Sequence, residues 1–147
     1  PGEAIVYDYF TTIEGIIEKE DATNNEFVVH PRLKELYAIG DYGKYADSNG
    51  MLRVNFISNN DITGGNSGSP VINAWGEIIG TAFDGNWEAM SGDITFESQI
   101  QRTISVDIRY ILFIIDKFAG ASYLLEEMTI AQSRKNKEVK VVTENLE

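Results

Sequence analysis

The run Thr63-Gly64-Gly65-Asn66-Ser67-Gly68-Ser69-Pro70 has the residue types of an acyl-transfer site. Such a site needs a nucleophilic oxygen held on a tight turn, and amide N–H groups aimed at the oxygen that becomes negative in the transition state. Ser67 supplies the hydroxyl. Gly65 can take positive φ and turn its N–H toward the substrate oxygen, Ser67 itself supplies a second N–H, and Gly68 leaves room for the substrate. Pro70 then carries the chain off in an extended direction. These residues mark Ser67 as the candidate catalytic nucleophile, with Gly65 and Ser67 as the oxyanion-hole donors. An ordinary Gly/Ser/Asn turn between strands has the same composition, and it is the order of the residues that sets the two apart.

Order also separates this run from two other glycine-rich sites. A Gly-x-Ser-x-Gly elbow between a strand and a helix would need glycine where Ser69 stands, and Pro70-Val71-Ile72-Asn73 reads as a strand. A phosphate-binding loop would need Lys followed by Ser or Thr after its glycines, and that pair is missing.

The elements around the loop are legible from periodicity and punctuation. Ala4 to Tyr7 and Ile13 to Ile17, rich in β-branched and aromatic residues, predict strands. Pro31 at a first-turn position, apolar Leu33, Leu36 and Tyr37 on one face and Gly40 as a stop predict a short helix. After a polar loop over 41–50, the alternation over 51–58 predicts a strand feeding the nucleophile loop. Val71-Ile72 and Glu77 to Phe83 predict a hairpin across Asn73-Ala74-Trp75-Gly76, with Gly76 in the left-handed region. Asp93 to Phe96 reads as a further strand. Ile108, Ile111, Leu112, Ile115 and Phe118 fall at helical spacing, with Ser105 as N-cap, Asp107 in the first turn and Gly120 as the stop. A shorter helix follows over about 121–128, and residues 131–147 read as a polar tail closed by an added remnant, Leu146-Glu147.

Composition bounds the partners. The 147 residues suffice for one domain with a core, and 43% hydrophobic content is that of a globular chain. A formal net charge of −11 argues against nucleic acid or an anionic membrane as partner. With no cysteine, disulfides, thiolate metal sites and cysteine nucleophiles are excluded. No signal-type segment and no run of transmembrane length is visible, and a chain opening on Pro1 reads as a piece of something longer.

Three stretches carry a sharper resemblance: Asn59 through Pro70, then Phe83-Asp84-Gly85-Asn86-Trp87-Glu88-Ala89-Met90-Ser91-Gly92-Asp93, then Gln101 through Tyr110. Together they resemble the C-terminal part of the bacterial dipeptidyl-peptidase 7 and 11 family, family 46 of the serine peptidases. The likeness runs from about Thr11 to Ile130, is closer to the 7 type, and stops at the tail. It implies a mainly β fold with α: the C-terminal half of a chymotrypsin-like double β-barrel, closing with a C-terminal helix, over residues 1–130. It further implies an exopeptidase that removes dipeptides from free N-termini of oligopeptides in the periplasm or at the cell surface, usually as a homodimer, without cofactor. The family's nucleophile falls on Ser67, while its His and Asp belong to the first barrel and have no counterpart in these 147 residues; the partners implied are the upstream catalytic and helical domains of the parent chain. The isolated chain is therefore expected to be inert.

Substrate-binding residues follow from that resemblance. The strand after the hairpin, with Phe83, Asp84 and Gly85, forms a wall of the pocket for the side chain before the scissile bond. The 11 type carries Arg where this chain has Gly85, which pairs acidic side chains; glycine there implies apolar or aromatic second residues, with a plain bulge or turn glycine as the alternative. A carboxylate at Asp84 suits the substrate α-ammonium, with a structural role as an N–H acceptor as the alternative. His30, the only histidine, precedes Pro31 at a helix entrance and reads as structural rather than as the general base. Asp84, Glu88 and Asp93 lack the spacing of a calcium loop, and no metal is expected. Two other readings stay open: a non-catalytic peptide-binding module on a serine-peptidase scaffold, and an endopeptidase of the same fold.

Overall fold

The computed structural model describes residues 8–91 and 96–131. The strands expected over 4–7 and 93–95, and the tail from 132 onward, lie outside the described residues. A five-stranded antiparallel sheet organises the rest: β1 (Phe10–Thr12), β2 (Arg53–Ser58), β3 (Pro70–Ile72), β4 (Ile78–Gly85) and β5 (Thr103–Asp107), in the order β1-β2-β5-β4-β3. Around it lie α1 (Ile13–Glu18), α2 (Pro31–Ile39), α3 (Ile108–Phe113), which continues as a π turn over Ile114–Phe118, and α4 (Tyr123–Glu126). A sheet with accompanying helices agrees with the mainly β fold with α that the sequence implies.

The core gathers where helices cover the β1–β2 end of the sheet. Phe113 is fully buried, and the rings of Tyr42 and Tyr45 meet it edge-on at 5.9 and 6.1 Å. Ile13, Leu52 and Leu33 fill the space between α1, α2 and β2. The opposite end of the sheet is bare: Ile72 and its register partner Ile78 are 55% and 54% exposed, and Trp75 at the turn between them is 57% exposed.

Two expectations needed correction. Ile13 to Ile17 form a helix rather than a strand, because Ile13, Ile16 and Ile17 sit at i, i+3 and i+4, and their packing on the core outweighs β-branched propensity. Ser105 is not a helix cap. It lies in the middle of β5, fully buried between its register partners Phe56 and Ala82. The cap is Asp107, whose Oδ1 accepts from Arg109 N at 2.9 Å. Among the described residues the strand that follows the hairpin is β5, and it hides from a hydropathy reading because its buried residues are Thr103, Ser105 and Asp107. The helix opening at Pro31, the Gly40 stop at φ 67°, the hairpin with Gly76 at φ 79° and the Gly120 stop at φ 65° form as read.

One glycine is required by close approach. A Cβ on Gly80 would stand 2.5 Å from Val106 O on the adjacent β5 and 2.6 Å from Phe56 Cε1 on β2, one strand further. Gly80→Ala is expected to lower stability by about 1–3 kcal/mol through overpacking, measured by urea unfolding.

Asp116 closes the helical side. Its carboxylate accepts from Ser122 Oγ at 2.5 Å and from Tyr45 Oη at 2.6 Å, and these bonds, Ser122's first, hold it below the ordinary 3.8. Burial, and then the bond to Asp116, pushes the Tyr45 phenol up. A carboxyl depressed in the folded state adds stability that is complete above its unfolded value and lost as pH falls through the folded one. Asp116→Asn is therefore expected to destabilise the chain by about 1 kcal/mol at pH 7 and to flatten the loss of stability below about pH 4, read from urea midpoints across pH.

Candidate active site

The nucleophile loop is held from both of its ends. At its exit the β3–β4 hairpin is pinned by Asn73, whose Oδ1 accepts from Trp75 N and Glu77 N, each at 3.0 Å. Strand β4 reaches back into the loop, with Gly68 N donating to Ala82 O at 2.8 Å and Ala82 N donating to Ser69 O at 2.9 Å. At the entrance, Thr103 Oγ1 on β5 donates to Asn60 O at 2.7 Å.

Inside the loop, Asn66 and Thr63 close on one another. Asn66 N donates to Thr63 O at 3.2 Å, and Thr63 N donates to Asn66 Oδ1 at 2.9 Å. Gly65 at φ 97° and Gly68 at φ 89° take the left-handed turns on either side of Ser67. The amides of Thr63, Asn66, Gly68 and Ser69 are engaged, whereas those of Gly65 and Ser67 find no acceptor among the described residues. Two exposed N–H groups beside a hydroxyl are the arrangement an oxyanion hole uses. The Ser67 hydroxyl itself is exposed and donates to Phe83 O at 3.3 Å.

Ser67, Phe83, Asp84 and Gly85 come together around one cavity of about 220 Å³, with Ile62 and Ala89 beside them. Gly65 does not line it, although Gly64 does. The three wall residues Phe83, Asp84 and Gly85 lie on β4, the second strand of the hairpin rather than a strand after it; Phe83 is 41% exposed, and Asp84 Oδ1 accepts from the N–H of its neighbour Gly85 at 2.8 Å. At Gly85 an added Cβ would lie 2.8 Å from the Ala89 Cβ and 3.9 Å from Ile62 Cγ2, so glycine keeps this part of the cavity open.

His30 stands apart from this group. Its Nδ1 accepts from Arg32 N at 3.1 Å as the N-cap of α2, and its ring meets Phe118 edge-on at 5.0 Å. None of these neighbours lines the cavity. Among the described residues no three His, Asp or Glu side chains gather as metal ligands, and no helix is long and apolar enough to cross a membrane.

Sequence reasoning missed Ile62, Ala89 and Asn86 as cavity residues. The four-residue step from Gly85 to Ala89 was the available signal, once a short 3-10 turn over Trp87–Ser91 is known to fold the chain back.

Comparison with known proteins places this geometry in context. The family described as Peptidase S46 matches residues 1–130. The chain is 59% identical to dipeptidyl-peptidase 7 of Phocaeicola vulgatus over 132 residues, which are 90% of this chain and 18% of that protein. It is 53% identical to the Asp/Glu-specific dipeptidyl-peptidase of Porphyromonas endodontalis over 128 residues, 87% of this chain and 18% of that protein. The crystal structure of Porphyromonas endodontalis DPP11 in complex with the dipeptide Arg-Asp superposes with a TM-score of 0.83 at 53% identity, covering 86% of this chain and 18% of that one. The chain thus spans less than a fifth of the length of the curated relatives it matches.

Proposed function

This chain belongs to the peptidase S46 family, and on that premise we propose that it is the nucleophile-bearing part of a serine exopeptidase that releases dipeptides from free N-termini. The observation that carries the reading is Ser67 set between two left-handed glycines at the mouth of a cavity walled by Phe83, Asp84 and Gly85. Ser67 Oγ attacks the carbonyl carbon of the scissile bond. The amides of Gly65 and Ser67 receive the oxyanion, the intermediate collapses with loss of the amine, and water hydrolyses the acyl-enzyme. The imidazole that takes and returns the proton, and the carboxylate that orients it, come from upstream parts of the longer protein, which complete a chymotrypsin-like double barrel and its helical domain. By itself the chain is inert.

The cavity receives the second residue of the substrate. With glycine at position 85 and no cation among the described residues that line it, it favours apolar or aromatic side chains. Asp84 anchors the substrate α-ammonium, exchanging its bond to Gly85 N for a charged partner. The longer protein acts without cofactor, as a homodimer, in the periplasm or at the cell surface of a bacterium.

Three measurements in the full-length protein test this. Ser67→Ala is expected to abolish fluorophosphonate labelling and turnover, and acetylating the substrate N-terminus to abolish cleavage; efficient cleavage of blocked peptides would identify an endopeptidase instead. Gly85→Arg combined with Ala89→Gly, which relieves the 2.8 Å contact, is expected to raise kcat/KM for Asp or Glu over Leu as second residue by about tenfold or more. No gain for acidic residues would remove Gly85 from the selectivity argument.

A further inference from the structure

The β4–β5 ladder has its last register pair at Gly85 and Thr103, and the next rung is made differently. Asn86 N donates to Arg102 O at 2.9 Å, the ordinary antiparallel bond. The reciprocal acceptor is missing, because Asn86 O takes the Ala89 N–H at 2.9 Å as the chain turns off the sheet. The Asn86 side chain fills the gap. Its Oδ1 accepts from Arg102 N at 2.8 Å, and its Nδ2 donates to Ile100 O at 2.8 Å and to Glu88 Oε2 at 2.7 Å. At 7% exposure, each polar atom of Asn86 is paired.

This substitution of a side-chain amide for a backbone carbonyl has a geometric result. A strand that kept its own carbonyl in the ladder would run on past Gly85 and leave the cavity open on that side. With the carbonyl released, the chain folds into the turn over Trp87–Ser91 and lays Ala89 against Gly85. The partner segment is fixed in its turn by Arg102, whose guanidinium donates to the carbonyls of Ser98, Gln99 and Gln101 at 2.7–2.8 Å.

We propose that Asn86 is the positioning residue for the selectivity of this cavity: by standing in for the lost ladder carbonyl it seats Ala89 opposite Gly85 and so sets the depth available to a substrate side chain. The inference rests on the reading of the cavity as the acceptor of the substrate's second residue. Asparagine is the side chain that fits. Asp would keep the acceptor for Arg102 N but lose the donor to Ile100 O and set a second carboxylate against Glu88. Ala would leave the Arg102 N–H and the Ile100 carbonyl without partners.

The test compares kcat/KM in the full-length protein for dipeptide substrates with Leu, Phe and Ala as second residue, across the parent, Asn86→Ala and Asn86→Asp. Ratios between substrates do not depend on how much enzyme is folded, so a purely structural role leaves them unchanged. The large-to-small preference is expected to fall by about tenfold in Asn86→Ala, with Asn86→Asp falling less. Should Asn86→Ala fail to fold, the ratio in Asn86→Asp decides. Variants that keep the parent's ratios overturn the role of Asn86 while leaving the cavity reading intact. A parent that does not discriminate among the three substrates overturns the cavity reading, and the inference with it.

Discussion

The backbone ladder between β4 and β5 is the contact on which both halves of the molecule depend. Strand β5 sits in the middle of the sheet, yet the residues it buries are Thr103, Ser105 and Asp107, and Ser105 Oγ has no partner among the described residues. Hydrophobic burial therefore does little to hold it there. Its hold comes from hydrogen bonds on two sides, to β2 and β4, each contributing about 1 kcal/mol, and from Gly80, which lets the Val106 carbonyl and the Phe56 ring approach. Strand β4, located by that ladder, gives both the N–H and the carbonyl of Ala82 to the nucleophile loop. Misplacing β4 by one residue would carry Ser67 and its cavity wall away together.

Asp107 passes the same order to the helices. It ends β5, caps α3 through Arg109 N, and binds the Arg109 guanidinium through Nε at 2.9 Å and Nη2 at 2.5 Å. That pairing holds the Arg109 guanidinium above its usual value, through the hydrogen bonds to Asp107 first. The helix so started delivers Phe113 to the core at the β1–β2 end, while the candidate site occupies loops at the β3–β4 end. Stability and chemistry are thereby separated in space, joined by one strand and one carboxylate, an arrangement in which loops can carry function on a rigid frame.

What the sequence disclosed tracks how local the determining physics is. Gly65, Ser67 and Gly68 were legible because a tight turn with positive φ demands glycine at set offsets, and Pro31 with Gly40 because helix ends have their own chemistry. The hairpin was legible for the same reason. Ile13 to Ile17 misled because a short apolar run supports either period, and only the packing of Ile13 on the core decides. Strand β5 was not read as a strand because its buried face is polar, and its pairing with residues some twenty to fifty positions away in the chain leaves no local mark. Asn86 was invisible as a cavity residue on the same ground: its role exists only once Arg102 lies beside it. The resemblance reached further than the residues alone, marking the wall at Phe83, Asp84 and Gly85 without the pairing that shapes it.

The bare hairpin end has a consequence for how such chains behave in crowded solution. Strand β3 is an edge of the sheet among the described residues, and its exposed Ile72 lies beside Ile78 and Trp75. An apolar edge of this kind is a template on which a second molecule can nucleate a strand, the first step of aggregation. Two features oppose it: β3 is only three residues long and opens on Pro70, which has no N–H to offer, and a net charge of −11 gives every copy a repulsive field. That field weakens as the carboxylates take up protons or as salt screens them. The colloidal behaviour of this chain is therefore sensitive to acid and to ionic strength.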